Sequence, residues 1–126
     1  MDSLFIDKTQ DTPEVILDPT NGKFSFTGTS IPENSKKFFE PIIKWIEEYN
    51  QNPNKETFVN FKMNYFNTAS TKYIFDIMVL FKEVAKAGNI LVYNWYFHQD
   101  DEDMYEAGVG FSKMVRHPFN YVKYSD

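Results

Sequence analysis

The chain has 126 residues, 42% hydrophobic and 25% charged, the balance of one globular domain whose core needs neither metal nor disulfide. Thirteen basic against eighteen acidic residues leave a net charge of −5, which argues against a duplex-wrapping protein or one held on an anionic membrane surface. The absence of cysteine excludes disulfides, thiol catalysis and thiolate metal sites.

Two histidines are too few for a His-built metal centre, and no cofactor is expected. Thirteen Phe, eight Tyr and two Trp mean that rings carry much of the burial. The start, Met1-Asp-Ser-Leu-Phe-Ile-Asp7, has no basic region and no long apolar run, so no secretory leader is expected. No stretch approaches the roughly 18 uninterrupted apolar residues of a membrane span, and a cytoplasmic setting is the expectation.

Residues 4–8 read as a short strand. Residues 13–28 read as a hairpin: Val15 and Leu17 alternate with polar or outward residues, and Asp18-Pro-Thr-Asn-Gly22 supplies the turn. Phe24 and Phe26 share one face of its second strand. Ser30-Ile-Pro-Glu-Asn-Ser35 is a loop ending in two N-cap candidates, Asn34 and Ser35. Phe38, Ile42, Trp45, Ile46 and Tyr49 then recur at helical spacing. Pro41 predicts a kink or a late start, because its ring opposes the carbonyl of Lys37.

Phe58 to Met63 reads as a strand with Val59, Phe61 and Met63 inward, and Asn64 to Ser70 as a polar break. Ile74, Ile77, Met78, Phe81, Val84 and Ala85 form the stripe of a second helix, stopped by Gly88. Ile90 to Phe97 has the pattern of a strand covered on both faces and reads as core rather than a cofactor box. Asp100 to Asp103 caps a third helix with Met104, Ala107, Phe111 and Met114 inward, ended by Pro118 and followed by a short strand over 119–124. Repeated strand–helix units joined by crossovers predict an α/β fold: a mixed sheet with an N-terminal hairpin, about three helices packed on it, and a single domain over 1–126.

No P-loop, dinucleotide fingerprint or nucleophile elbow occurs. Gly108 and Gly110 are a fragment inside a helix. His98 and His117 lack a nearby nucleophile and read as structural. The Asp100-Asp-Glu-Asp103 cluster lacks the glycine and alternating oxygens of a calcium loop, but it suits the positive end of a helix. No convergent set of titrating groups supports an enzyme; Lys72 and Asp76 read as an ordinary i, i+4 pair.

Asn64-Tyr-Phe-Asn-Thr-Ala-Ser-Thr-Lys72 is the segment that invites a functional reading. It lies at the carboxyl end of a strand where a helix begins, the usual site of open α/β sheets. Its amide and hydroxyls surround unpaired N–H groups of the helix start. Either Asn67 or Thr68 caps the helix and the rest is solvated, or one hydroxyl accepts a phosphate.

The same stretch resembles the phosphoacceptor segment of the SiaC family of bacterial regulatory phosphoproteins. The likeness extends to Thr12-Pro13, to Gly28-Thr-Ser-Ile-Pro-Glu-Asn-Ser35, and to Trp95-Tyr-Phe with Asp101-Glu-Asp-Met104 and Glu106-Ala-Gly108, in family order along nearly the whole chain. The family is similar in fold to the anti-sigma-factor antagonists, the STAS-like domains. The resemblance implies Thr68 as the acceptor, with a cognate protein kinase and an opposing PP2C-type phosphatase. It also implies a diguanylate cyclase bound and activated by the unphosphorylated form, and hence control of c-di-GMP and biofilm. Two positions depart from the family: Ala69 stands where many relatives have Ser, and Asn64 where an acidic residue is frequent.

The expectation is thus a non-enzymatic switch protein with no nucleic-acid partner. Tyr65, Asn67, Ala69 and Ser70 are expected to form the partner contact around Thr68, with Pro32, Glu33 and Asn34 as an adjacent rim. The rival is a constitutive scaffold or small-ligand module in which Thr68 is only a cap.

Overall fold

A computed structural model describes residues Met1–Asp126. The elements are β1 (Leu4–Ile6), β2 (Glu14–Asp18), β3 (Lys23–Ser30), α1 (Ser35–Tyr49), β4 (Glu56–Phe66), α2 (Thr68–Lys86), β5 (Ile90–His98), α3 (Glu102–Val115) and β6 (Phe119–Tyr124). The six strands lie in one sheet in sequence order. β1, β2 and β3 are antiparallel, and β3 to β6 are parallel. The helices α1, α2 and α3 each connect two neighbouring parallel strands. α2 packs against both α1 and α3, so the three helices lie side by side on one face of the sheet. The expected mixed α/β sheet with an N-terminal hairpin and three helices is what forms.

The buried face reads across the strands as Val15 and Leu17, Phe24 and Phe26, Val59, Phe61 and Met63, Leu91, Tyr93 and Trp95, and Phe119. β5 corrects one expectation. Its residues alternate, with Leu91, Tyr93 and Trp95 buried, Val92, Asn94 and Tyr96 half-buried, and Ile90 exposed, so only one face is covered by helices. The other face is sheltered by neighbouring side chains instead. Asn120 donates to Asn94 at 3.1 Å and Asn94 to Asn60 at 2.9 Å, an amide ladder across three parallel strands.

Three helical details differ from the spacing argument. α1 starts at Ser35, directly after Asn34, which caps it by accepting from the Lys37 N–H at 3.1 Å. There is no late start. Pro41 and Lys37 both lie on the exposed side, so the carbonyl that loses its helical partner is turned toward water. The fully buried aromatic in the first turns is Phe39 rather than Phe38, which is half-buried against it. In α3 the inward line is Met104, Gly108, Phe111 and Val115, while Met114 is 56% exposed. Gly108 occupies an inward position where a hydrophobic count records nothing.

Trp95 explains that glycine. Its indole packs among Phe61, Phe66, Phe111 and Phe119, and its Nε1 donates to the Met104 carbonyl at 2.9 Å. A methyl group on Gly108 would stand 2.6 Å from that Nε1, and the ring has no room to retreat. α2 is pinned at mid-length, where the Tyr93 hydroxyl donates to the Met78 carbonyl and Asn50 Nδ2 donates to the Leu80 carbonyl at 2.7 Å. Burial holds the Tyr93 hydroxyl neutral by raising its pKa.

At the hairpin, Gly22 adopts a φ of 68°, as the turn chemistry predicts. The Asp18 carboxylate accepts from Asn21 Nδ2 at 2.7 Å, the Asn21 N–H at 3.2 Å and the Ser3 hydroxyl at 3.0 Å. These bonds, the Asn21 side chain first, favour the ionised form and lower its pKa.

Gly108→Ala is expected to destabilise by about 2 kcal/mol or more despite the better helix propensity of alanine. Gly110→Ala meets no atom within 4 Å and is expected to stabilise by up to about 1 kcal/mol; urea denaturation of both variants checks the contrast. A carboxylate whose pKa is lowered on folding stabilises fully above its ordinary value and loses that contribution as pH falls through the folded one. The melting-temperature gap between wild type and Asp18→Asn is therefore expected to hold near neutral pH and to close below about pH 4.

Candidate functional site

The parallel pairing of β3 with β4 slips by one residue. Gly28 pairs with Met63 but Thr29 pairs with Tyr65 and Ser30 with Phe66, so Asn64 is the extra residue of a bulge. Alternation along β4 reverses there. Without the bulge Tyr65 would follow Val59, Phe61 and Met63 into the core. With it, Phe66 turns inward against Trp95 and Phe111, and Tyr65 turns outward, 58% exposed.

The polar break expected over 64–70 shrinks to a single residue. β4 runs to Phe66 and α2 begins at Thr68, leaving Asn67 as the whole connection. Its backbone is extended (φ −85°, ψ 177°), and its side chain accepts from the Ser70 N–H at 2.9 Å. Its carbonyl accepts from the Thr71 N–H at 2.9 Å and the Thr71 hydroxyl at 3.0 Å. Asn67 is therefore the cap. Thr68 is the first helical residue, and it is exposed together with Ala69. The hydroxyl of Thr68 takes part in no hydrogen bond within the chain.

Ser70 and Pro32 correct the expected contact surface. Ser70 has no exposure, and its hydroxyl is bonded to Ser30, so it faces the interior. Pro32 is buried as well, whereas Glu33 and Asn34 are exposed, with Asn34 engaged as the cap of α1. The two groups also face different hollows. Pro32, Glu33 and Asn34 line one of about 880 Å³ with Ile6, Thr12 and Phe38. Tyr65 lines one of about 250 Å³ with Asn64, Phe66, Asp101, Asp103, Met104 and Ala107. The acidic start of α3 is thus the neighbour of the carboxyl end of β4. Asp101 caps α3 by accepting from the Met104 N–H at 3.0 Å, and Glu102 and Asp103 occupy its first turn, as the acidic run predicts.

Ser30 and the Asn64 bulge are the parts of this arrangement that the sequence reading missed. Aromatic residues at both Tyr65 and Phe66, after strict alternation to Met63, are the available signal that the strand changes parity. His117 is structural: its Nε2 lies 2.9 Å from the Leu91 carbonyl, and its ring stands edge-on to Tyr93. No group of acidic or histidine side chains is placed to hold a metal ion, and no helix is long and apolar enough to cross a membrane.

Residues 6–124 match the model of the SiaC family regulatory phosphoproteins. A Pseudomonas aeruginosa (strain UCBPP-PA14) protein described only as uncharacterized is 30% identical over 119 residues, 94% of each chain. The fold is similar to SiaC of Pseudomonas aeruginosa in a crystal structure of the diguanylate cyclase SiaD in complex with its activator SiaC. There the TM-score is 0.89 at 29% identity, over 96% of this chain and 99% of that one. It is also similar to the crystal structure of apo-SiaC from that organism, with a TM-score of 0.86 at 30% identity, over 97% and 99% of the two chains. The match spans both the strand-to-helix junction at Asn67 and the acidic start of α3, and the chain belongs to the SiaC family of regulatory phosphoproteins.

Proposed function

We propose that the protein is a non-enzymatic bacterial switch in which Thr68 is reversibly phosphorylated and the unphosphorylated form docks and activates a diguanylate cyclase, so setting c-di-GMP and biofilm formation. The observation that carries this reading is the free, exposed hydroxyl of Thr68, one residue beyond a cap made entirely by Asn67. A cognate kinase supplies the phosphate. The Thr68 oxygen bonds to the γ-phosphorus of a nucleoside triphosphate, the bond from that phosphorus to the β-phosphate breaks, and the hydroxyl proton passes to a base on the kinase. A PP2C-type phosphatase reverses the modification by hydrolysis. The setting is cytoplasmic, where the nucleotide is supplied.

A phosphate there brings about −1.5 to −2 charges. The N-terminus of the 19-residue α2 accommodates it, by roughly 0.3–1 kcal/mol when exposed. A docked partner does not, because a charge buried without a counter-ion is costly. Lys72, one turn along α2, is engaged with Asp76 at 3.3 Å, and the neighbouring hollow presents Asp101 and Asp103. Loss of about 2.7 kcal/mol lowers an affinity a hundredfold. The contact surface consists of Tyr65, Asn67, Thr68 and Ala69, and Glu33 and Asn34, which line the other hollow, form a separate rim.

The scaffold reading makes Thr68 a helix cap, and the geometry gives that role to Asn67. Asn67→Ala is expected to cost about 1 kcal/mol in chemical denaturation, and Thr68→Ala less than about 0.5 kcal/mol. Phosphosite mapping on protein from the native host is expected to find a single phosphate on Thr68. Calorimetry with the host's cyclase is expected to show full affinity for Thr68→Ala and about a hundredfold loss on phosphorylation. Thr68→Asp should fall between them, since it carries one charge and fewer acceptor oxygens. Equal affinity for all forms would overturn the proposal.

A further inference from the structure

Ser30 ends β3 and Ser70 lies in the first turn of α2, both without exposure. Ser70 Oγ is 2.9 Å from the Ser30 carbonyl oxygen and 2.8 Å from Ser30 Oγ. A carbonyl only accepts, so the Ser70 proton points to it, and the second contact is the Ser30 hydroxyl donating to Ser70. The result is a closed loop: Ser30 hydroxyl to Ser70 hydroxyl to Ser30 carbonyl. The same carbonyl accepts the Asn67 N–H at 3.1 Å. Two bonds, one on each side of Thr68 and Ala69, therefore converge on a single oxygen at the end of β3.

Resting on the reading of Thr68 as phosphoacceptor, we propose that the buried Ser70 hydroxyl, bonded to the Ser30 carbonyl, positions Thr68 for phosphotransfer by clamping the Asn67–Ser70 turn to the end of β3. The helix end does not need the Ser70 hydroxyl for its own satisfaction, because Asn67 already accepts from the N–H groups of Ser70 and Thr71. Two apolar side chains of similar shape would fill the space at nearly neutral cost. What the Ser70 hydroxyl adds is a link of fixed length and direction between helix and sheet. The Thr68 side chain has no partner of its own, so the backbone alone aims its oxygen. In-line attack on a γ-phosphorus depends steeply on that aim.

The three variants Ser70→Ala, Ser30→Ala and Ser30→Ala/Ser70→Ala separate positioning from stability. Ser70→Ala leaves the Ser30 hydroxyl buried without an acceptor and is expected to lower the melting temperature by about 4 °C. Ser30→Ala keeps the bond to the carbonyl and is expected to behave as wild type. The double variant removes the stranded hydroxyl and is expected to regain most of the melting temperature. The second readout is the initial rate of Thr68 labelling by γ-labelled ATP in extract of the native host, with Thr68→Ala as the blank. Both variants lacking the Ser70 hydroxyl are expected to label at least about tenfold more slowly than wild type. A double variant that recovers its rate along with its stability would overturn the positioning role, as would Ser70→Ala labelled at the wild-type rate. Wild type that takes no label on Thr68 would instead refute the phosphoacceptor reading, and the inference with it.

Discussion

One unpaired residue, Asn64, governs the arrangement at the carboxyl end of the sheet. A strand has two faces and a period of two, so an inserted residue exchanges the fates of everything after it. Phe66 completes the aromatic packing around Trp95, and Tyr65 is released to solvent. The exchange also sets where β4 can end. Phe66 sits in register with Ser30, which brings the Asn67 N–H to the Ser30 carbonyl and starts α2 after a single connecting residue. Without the slip, the exposed threonine, its cap and its outward tyrosine would not share one surface.

That surface is carried by a helix held along its whole length. Ser70 ties α2 to β3, Tyr93 reaches the Met78 carbonyl, and Asn50 reaches the Leu80 carbonyl. Near the far end, Lys82 donates to the Val115 and Arg116 carbonyls at 2.8 and 3.1 Å, where Arg116 closes α3 in the left-handed conformation. α2 is thus joined to the sheet through Ser70 and Tyr93 and to its neighbouring helices through Asn50 and Lys82. A phosphate on Thr68, as proposed, acts by changing what approaches the surface, with no refolding of the domain beneath it.

Much of this fold is legible in the sequence because periodicity encodes which face is buried. Val59, Phe61 and Met63 alternate on one face of β4, and Ile74, Ile77, Met78, Phe81 and Val84 make the stripe of α2. The junction at 64–72 is legible as the place to look, from its polar residues between strand and helix. Which hydroxyl is free and which is buried is not. Ser70 reads as surface by composition, and only a partner 40 residues away makes it interior. Gly108 and Met114 mislead for a related reason: the shape of Trp95 selects a glycine on the inward line, and the count of apolar residues then drifts to its exposed neighbour. Pro41 is tolerated because its face of α1 is wet, a fact of placement rather than spacing.

The helix-free face of the sheet carries exposed Phe5, Phe58 and Ile90, a pattern that in a flat sheet invites stacking on a second sheet. The amide ladder of Asn60, Asn94 and Asn120 crosses β4, β5 and β6 on the same face. It is polarised from β6 to β4, so the amide hydrogens left over on Asn60 and the oxygen left over on Asn120 stay bound to water at its two ends. Two copies that met face to face would have to strip that water before the amides could find new partners. A row of uncharged side chains thereby opposes stacking of copies on the side of the sheet that no helix covers.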